Sequence, residues 1–283
     1  MHKAKKQYGQ NFLTDKNLLK KIVSEAHLEN KNVIEVGPGK GALTQFILPT
    51  AKKFVAYEID KSLKEYLDPL IEKGLTVKYG DFLNSDLNED IKTFFNNEEV
   101  QFIGNLPYYI TSPILFKVLE TEKIQSATMM IQKEVGDRIV SEPNQKTYNA
   151  LSVLVQYFTN VRRVMIVKKN MFIPQPKVDS VIIQIIKKPT DQKITDKFVP
   201  FVKAAFTQKR KTLVNNLAQA YQIEKSDIHT FLNENQMDLN IRAEQISVEK
   251  FIELSQKWPF WHKSTLFSHE NALFLKKYDI IQL

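Results

Sequence analysis

The chain has 283 residues, 43% apolar and 25% charged, enough for one large domain with a smaller companion and inconsistent with a disordered or fibrous protein. Its formal net charge of +8 attracts polyanions such as nucleic acid or acidic lipid, although a lysine-rich proteome produces the same balance; the only arginines are Arg138, Arg162, Arg163, Arg210 and Arg242. The absence of cysteine excludes disulfides, thiol nucleophiles and thiolate metal sites together, and the five histidines form no His-x3-His pair, so no metal site is expected.

The basic N-terminus is followed by Gln7 to Asn11 rather than by the apolar core of a signal peptide. With no apolar stretch of about 18 residues anywhere, a soluble, cytoplasmic protein is expected. Gly9-Gln10-Asn11-Phe12-Leu13 reads as a frayed terminus or as a flap over a ligand, and its Asn and Phe favour the flap. A helix from about Asp15 to His27 follows, with Leu18, Leu19, Ile22, Val23 and Ala26 on one face.

Asn32 to Val36 is a short apolar strand, Gly37-Pro38-Gly39-Lys40-Gly41 a glycine turn, and a helix is expected from near Ala42. Strand, glycine turn and helix make the first unit of a doubly wound sheet, where bare backbone can approach a ligand closely. It is not a phosphate-binding Walker loop, because Lys40 is followed by Gly41 and not by Ser or Thr. A second strand, Lys53 to Tyr57, ends at Glu58, 21 residues after Gly37, the spacing at which an acid reaches the ribose hydroxyls of a nucleoside over the turn. The third strand, Leu75 to Tyr79, runs into Gly80-Asp81-Phe82, an acceptor and a stacking face for an adenine.

The fourth strand, Val100 to Ile103, delivers Asn105-Leu106-Pro107-Tyr108-Tyr109, too polar and aromatic to be mere packing and well suited to a pocket wall. Ala127 to Ile131 is a fifth strand, and residues 137 to 158 read as a helix pair broken at Pro143 and Asn144. Two strands, Val161 to Val167 and Val178 to Ile186, flank Phe172 to Lys177 with no helix between them, so an antiparallel hairpin is expected at the sheet edge. Beyond Pro189 to Lys193, the expected domain boundary, only helical periodicity remains, over about 195 to 206, 208 to 220, 226 to 235 and 247 to 257.

Carboxylates at two successive strand ends fit a nucleoside-containing cofactor, either NAD or S-adenosylmethionine. A dehydrogenase would still need a hydride-handling acid, whereas a methyltransferase needs a nucleophile in line with the sulfonium methyl. The Asn-Leu-Pro-Tyr stretch meets the second need for an exocyclic amine. The Asn105 side-chain oxygen and the Leu106 carbonyl can accept the two hydrogens of an adenine N6 and favour its pyramidal, nucleophilic form, with Pro107 fixing the backbone and Tyr108 stacking on the base. No general base is needed before attack, because the methylated ammonium sheds its proton readily.

The motifs Gly9 to Leu13, Glu35 to Gly41, Glu58 to Asp60, Gly80 to Phe82, Asn105 to Tyr108, Phe172 to Ser180 and Ala205 to Leu213 together resemble the small-subunit ribosomal RNA adenine dimethyltransferases over roughly residues 5 to 257. The resemblance implies a Rossmann-like class I methyltransferase of α/β fold: residues 1–188 hold a seven-stranded, mostly parallel sheet with an antiparallel edge hairpin, and 189–283 a smaller all-α RNA-recognition domain. It implies that Asn11 and Leu13 reach the cofactor S-adenosylmethionine from the flap, that Gly37 and Gly39 lie against its methionine part, that Glu58 holds its ribose, and that Asp81 binds its adenine beside Phe82. Asn105 to Tyr108 would hold the target adenine, with Asn105 also contacting the cofactor, and Phe172 would close on the other face of the adenine. The implied reaction dimethylates N6 of two adjacent adenosines in a hairpin loop near the 3′ end of 16S rRNA in the 30S subunit, a late step of ribosome biogenesis by a monomer. Lys209, Arg210 and Lys211 are candidates for RNA phosphate contact. Tyr109 stands where Asn is common in the family, and the tail 259–283 has no counterpart in the resemblance. An Erm-type enzyme acting on 23S rRNA and a non-catalytic rRNA-binding assembly factor remain as alternatives, the first to be separated by residues 205 to 213.

Overall fold

The computed structural model describes residues 4–261. Contacts divide the chain into two compact units, one of residues 1–136 and 160–187, the other of 137–159 and 188–283.

The first unit opens with an arm whose strand β1 (Phe12–Leu13) precedes helix α1 (Lys16–Ala26). Asp15 caps α1 by accepting from Leu18 N at 2.8 Å, and His27 ends it in the left-handed conformation. Then follow β2 (Asn32–Val36), a single turn α2 (Thr44–Ile47), β3 (Lys53–Glu58), α3 (Lys64–Ile71), β4 (Thr76–Tyr79), α4 (Leu87–Phe95), β5 (Val100–Asn105), α5 (Thr111–Glu120) and β6 (Ile124–Gln132). Helix α6 (Lys133–Ile139) carries the chain across the first unit boundary, and α7 (Ala150–Phe158) belongs to the second unit. The chain returns through β7 (Thr159–Val167), β8 (Phe172–Ile173) and β9 (Ser180–Lys187). The helix expected from Ala42 is shorter than its sequence suggests, because the glycine turn continues to Leu43.

Seven strands form one sheet in the order β4-β3-β2-β5-β6-β9-β7, parallel from β4 to β6, with β9 antiparallel to β6. The five residues of β2 are all buried, as expected for a parallel strand covered on both faces. The order reverses direction between β2 and β5, the switch point at which such sheets open a crevice. Register decides what stands there. Val36 lies opposite both Tyr57 and Gly104, so Gly37, Glu58 and Asn105 emerge at one level, and Glu58 opposite Tyr79 brings Gly80 and Asp81 alongside. A Cβ on Gly104 would meet Val36 O at 2.8 Å, so this close approach of β5 to β2 requires glycine. Separately, β1 pairs antiparallel with β8, Phe12 opposite Ile173 and Leu13 opposite Phe172.

The second unit adds α8 (Gln192–Ala205), α9 (Leu213–Tyr221), α10 (Lys225–Glu234) and α11 (Val248–Lys257). Its core is aromatic: Tyr157 stacks on Phe198 at 4.1 Å, and Trp258 meets Phe201, Tyr221 and Phe231 at 4.9 to 5.4 Å. A single division at residue 188 does not describe these contacts. The apolar residues of α7 are buried on most of its circumference and pack with α8 and α11, so 137–159 joins the helical unit. Helix α9 also begins later than its periodicity suggests. Thr212 caps it by accepting from Asn215 N, and Arg210 takes φ 66°, which an α-helix cannot accommodate. Most of the atypical tail, 262–283, lies outside the described residues. Among the described residues no helix is long and apolar enough to cross a membrane.

Candidate active site

At the carboxyl ends of β2 to β5 the first unit opens a cleft lined among others by Asn11, Leu13, Gly37, Gly39, Glu58, Asp81, Phe82 and Asn105 to Tyr109. Every cofactor residue expected from the sequence therefore meets in one place. The floor is the glycine turn. Gly37, Gly39 and Gly41 all have positive φ, and a Cβ on Gly39 would stand 3.0 Å from the Phe12 ring, so the arm lies directly on bare backbone.

Glu58 is 3% exposed, its Oε2 accepting from Gly39 N at 3.0 Å and its Oε1 from Asp60 N at 2.8 Å. Burial raises its pKa, and the backbone donors of Asp60, Gly39 and Ile59 partly oppose this. Asp81 is exposed at the next strand end and accepts from Leu83 N at 2.9 Å. Phe82 is buried edge-on to Tyr57 at 5.1 Å, with Lys117 above its ring, so it backs the wall rather than offering an open face.

The opposite wall is the tip of β5. Asn105 Nδ2 donates to the Asn11 carbonyl at 3.0 Å, which turns the side-chain oxygen of the amide away from the arm. Leu106 N donates to Met130 O at 3.0 Å. Among the described residues no donor reaches Asn105 Oδ1 or the Leu106 carbonyl, so two adjacent acceptors are left without partners. Tyr108 is half-buried, its hydroxyl 2.7 Å from Ser180 Oγ, and burial raises its pKa. Tyr109 is 59% exposed at the cleft, and a Cβ on Gly9 would stand 3.3 Å from its ring edge.

Phe172 departs from expectation. It is 2% exposed, lies in the apolar cluster with Leu13, Leu19 and Ile22, and does not line the cleft. The reason is its pairing: β8 bonds to the arm strand β1, which turns Phe172 into the core opposite Leu13. Lys209, Arg210 and Lys211 also differ from the expected helical setting, occupying an exposed turn of the helical unit whose backbone is tied to α9 by Asn216, through the carbonyls of Ala205 and Gln208.

The family description "Ribosomal RNA adenine dimethylase" matches residues 1–258. The chain belongs to the ribosomal RNA adenine dimethylase family. It is 50% identical over 262 residues to "Ribosomal RNA small subunit methyltransferase A" of Onion yellows phytoplasma, covering 91% of this chain and 97% of that one. Identity to the protein of the same name from Phytoplasma australiense is 48% over 282 residues, 98% and 99% of the two chains, so the tail has a counterpart there. A dimethyladenosine transferase from Plasmodium falciparum superposes with TM-score 0.73 at 26% identity, over 87% of this chain and 97% of that one. The 23S rRNA methyltransferase ErmE superposes with TM-score 0.69 at 25% identity, over 87% and 99%.

Members of this family are S-adenosylmethionine-dependent methyltransferases, and the cleft fits that cofactor. Bare glycine backbone, a buried carboxylate at β3 and an exposed one at the end of β4 match an amino-acid moiety, a ribose and an adenine in sequence along one crevice.

Glu35 stands beside the glycine turn, where the sequence alone points to no role for it. It lines the cleft at 1% exposure, accepts from Thr44 Oγ1 at 2.7 Å, and burial pushes its pKa up to about 8. The folded chain keeps this proton to about pH 8, whereas an unfolded chain releases it near 4.5. Stability from this group is therefore full below that lower value and declines as pH rises towards the upper one, on the order of 1 kcal/mol per pH unit; Glu58, also raised, acts in the same sense. Glu35→Gln is expected to flatten the fall of Tm between about pH 5 and about pH 8, read by thermal unfolding across that range.

Proposed function

We propose that this protein transfers methyl groups from S-adenosylmethionine to N6 of two adjacent adenosines, two to each, in the hairpin loop near the 3′ end of 16S rRNA in the 30S subunit. The observation that carries the reading is the pair of unpartnered acceptors, Asn105 Oδ1 and Leu106 O, on the wall of a cleft suited to the cofactor. Bound there, the cofactor supplies an electrophilic methyl group.

The chain's residues do the rest. Glu58 accepts from the ribose, Asp81 from the cofactor adenine, Gly37 and Gly39 border the methionine part, and Asn11 and Leu13 cover it from the arm. Asn105 Oδ1 and Leu106 O accept the two hydrogens of the target amine and draw its lone pair out of conjugation, so that the interaction is stronger in the transition state than before it. Pro107 sets the backbone, and Tyr108, braced by Ser180, provides the stacking ring. The ammonium formed loses its proton to solvent, and the amine can take a second methyl group once S-adenosylhomocysteine has been exchanged for fresh S-adenosylmethionine. Phe172 serves as the buried support of Leu13 rather than as a second stacking face.

A base inside a regular duplex cannot enter such a cleft, so the target is an unstacked loop nucleotide. Lys209, Arg210 and Lys211 contact RNA phosphates from their exposed turn. The protein acts as a cytoplasmic monomer during ribosome biogenesis. Mapping N6,N6-dimethyladenosine in rRNA from cells with and without the gene tests the reading: the pair of modified adenosines disappears with the gene, and its persistence would refute the assignment.

A further inference from the structure

The arm is held by more than its contact with the cleft. Lys5 Nζ lies 2.6 Å from Asp60 Oδ1 and 2.8 Å from Ser62 Oγ, and Gln10 Nε2 donates to Asp60 Oδ2 at 2.9 Å. Lys5 N in turn donates to Gln10 Oε1 at 2.8 Å, closing a ring of bonds around one buried carboxylate. That carboxylate stands two residues beyond Glu58, whose Oε1 accepts from Asp60 N. Burial alone would raise the Asp60 pKa, but the bonds from Lys5, Ser62 and Gln10 bring it well below the usual carboxylate value, so it stays ionised. From this anchor the arm passes Gly9 and reaches Asn11, whose carbonyl accepts Asn105 Nδ2.

We propose that Asp60, with Lys5 and Gln10, is a positioning group for methyl transfer: it holds the arm so that the Asn11 carbonyl selects the orientation of the Asn105 amide. The inference rests on Asn105 acting as acceptor for the target amine. A side-chain amide has nearly the same shape in its two orientations, but one presents an acceptor to the amine hydrogens and the other presents donors. A backbone carbonyl can bind only the NH2 end, and so selects the productive orientation. The arm's strand pairing is only two residues long, so the Asn11 carbonyl holds its place beside Asn105 only if the arm is anchored elsewhere as well. Charge-assisted bonds from Lys5 to Asp60 provide the anchor on one side of Asn11, and the β1–β8 pairing provides it on the other.

Lys5→Met and Asp60→Asn test this, with Lys5→Arg as the conservative variant. On small subunits lacking the modification, at saturating S-adenosylmethionine, kcat falls about 10- to 100-fold in the first two and recovers in the third. In an Asn105→Ala background the same substitutions produce no further fall, because the amide they orient is gone. A readout independent of activity is hydrogen exchange of the Asn105 side-chain NH2 in protein labelled with 15N-asparagine, its signal identified by its loss in Asn105→Ala. Exchange is slow in the parent and Lys5→Arg chains and fast in Lys5→Met. Unchanged exchange, an equal loss of kcat in both backgrounds, or a rise in the KM for S-adenosylmethionine alone would assign the arm to cofactor cover only and overturn the proposal. Inactivity of the parent chain on rRNA would instead remove the functional reading, and the exchange experiment would still decide whether the arm orients Asn105.

Discussion

Alanine at position 105 lowers kcat for rRNA methylation about 10²- to 10³-fold and leaves the Kd for S-adenosylmethionine within about threefold of the parent value. The size follows from what the side chain does. Asn105 Oδ1 is one of two acceptors at the tip of β5, and its interaction with the amine grows as the nitrogen becomes pyramidal. Its removal therefore acts on the transition state and not on ground-state binding of either substrate. The fold should tolerate the change. Asn105 is the last residue of its strand, among the described residues its Nδ2 bonds only to the arm, and the neighbouring Leu106 N keeps its bond to Met130 O. Steady-state kinetics with labelled methyl groups, paired with calorimetry of cofactor binding, separate the two effects. A matching loss in both parameters would mean that Asn105 serves the cofactor and not the target.

Glu58→Ala has the opposite signature: the Kd for S-adenosylmethionine rises about 30- to 100-fold, as for loss of a charge-assisted hydrogen bond. Two effects combine at this position. The carboxylate is lost as an acceptor, and the Gly39 and Asp60 backbone donors lose their partner in a buried setting, which loosens the turn under the cofactor. Glu58→Gln separates them, because an amide oxygen still satisfies one donor; its Kd rises about tenfold or less. Calorimetry measures both variants, and thermal unfolding shows how much of the alanine effect comes from the turn.

Much of the cleft is legible in the sequence because parallel strands deliver their chemistry at one end. A glycine turn after β2, an acid after β3, an acid and a ring after β4 and an amide after β5 are each ambiguous alone; in register they converge. The features that escape sequence reading share a different character: each depends on a contact between distant segments. The pairing of β1 with β8 is two residues long on each side and has no periodicity to detect, yet it moves Phe172 from the cleft to the core. The placement of 137–159 depends on which helices receive the apolar surface of α7, and Tyr157 stacking on Phe198 settles it. Residues 208 to 211 continue the helical pattern of their neighbours, but the cap at Thr212 and the left-handed Arg210 override it. The arm's anchor on Asp60 links positions 50 and 55 residues apart and leaves no mark in the sequence of either.

The target proposed for the acceptor pair is a pair of adjacent adenosines in the small subunit. Purified protein, labelled S-adenosylmethionine, and small and large ribosomal subunits lacking the modification, incubated in parallel, test it directly. Label is expected on two adjacent adenosines near the 3′ end of 16S rRNA, each carrying two methyl groups, with none in the large subunit. Label confined to 23S rRNA would overturn that target.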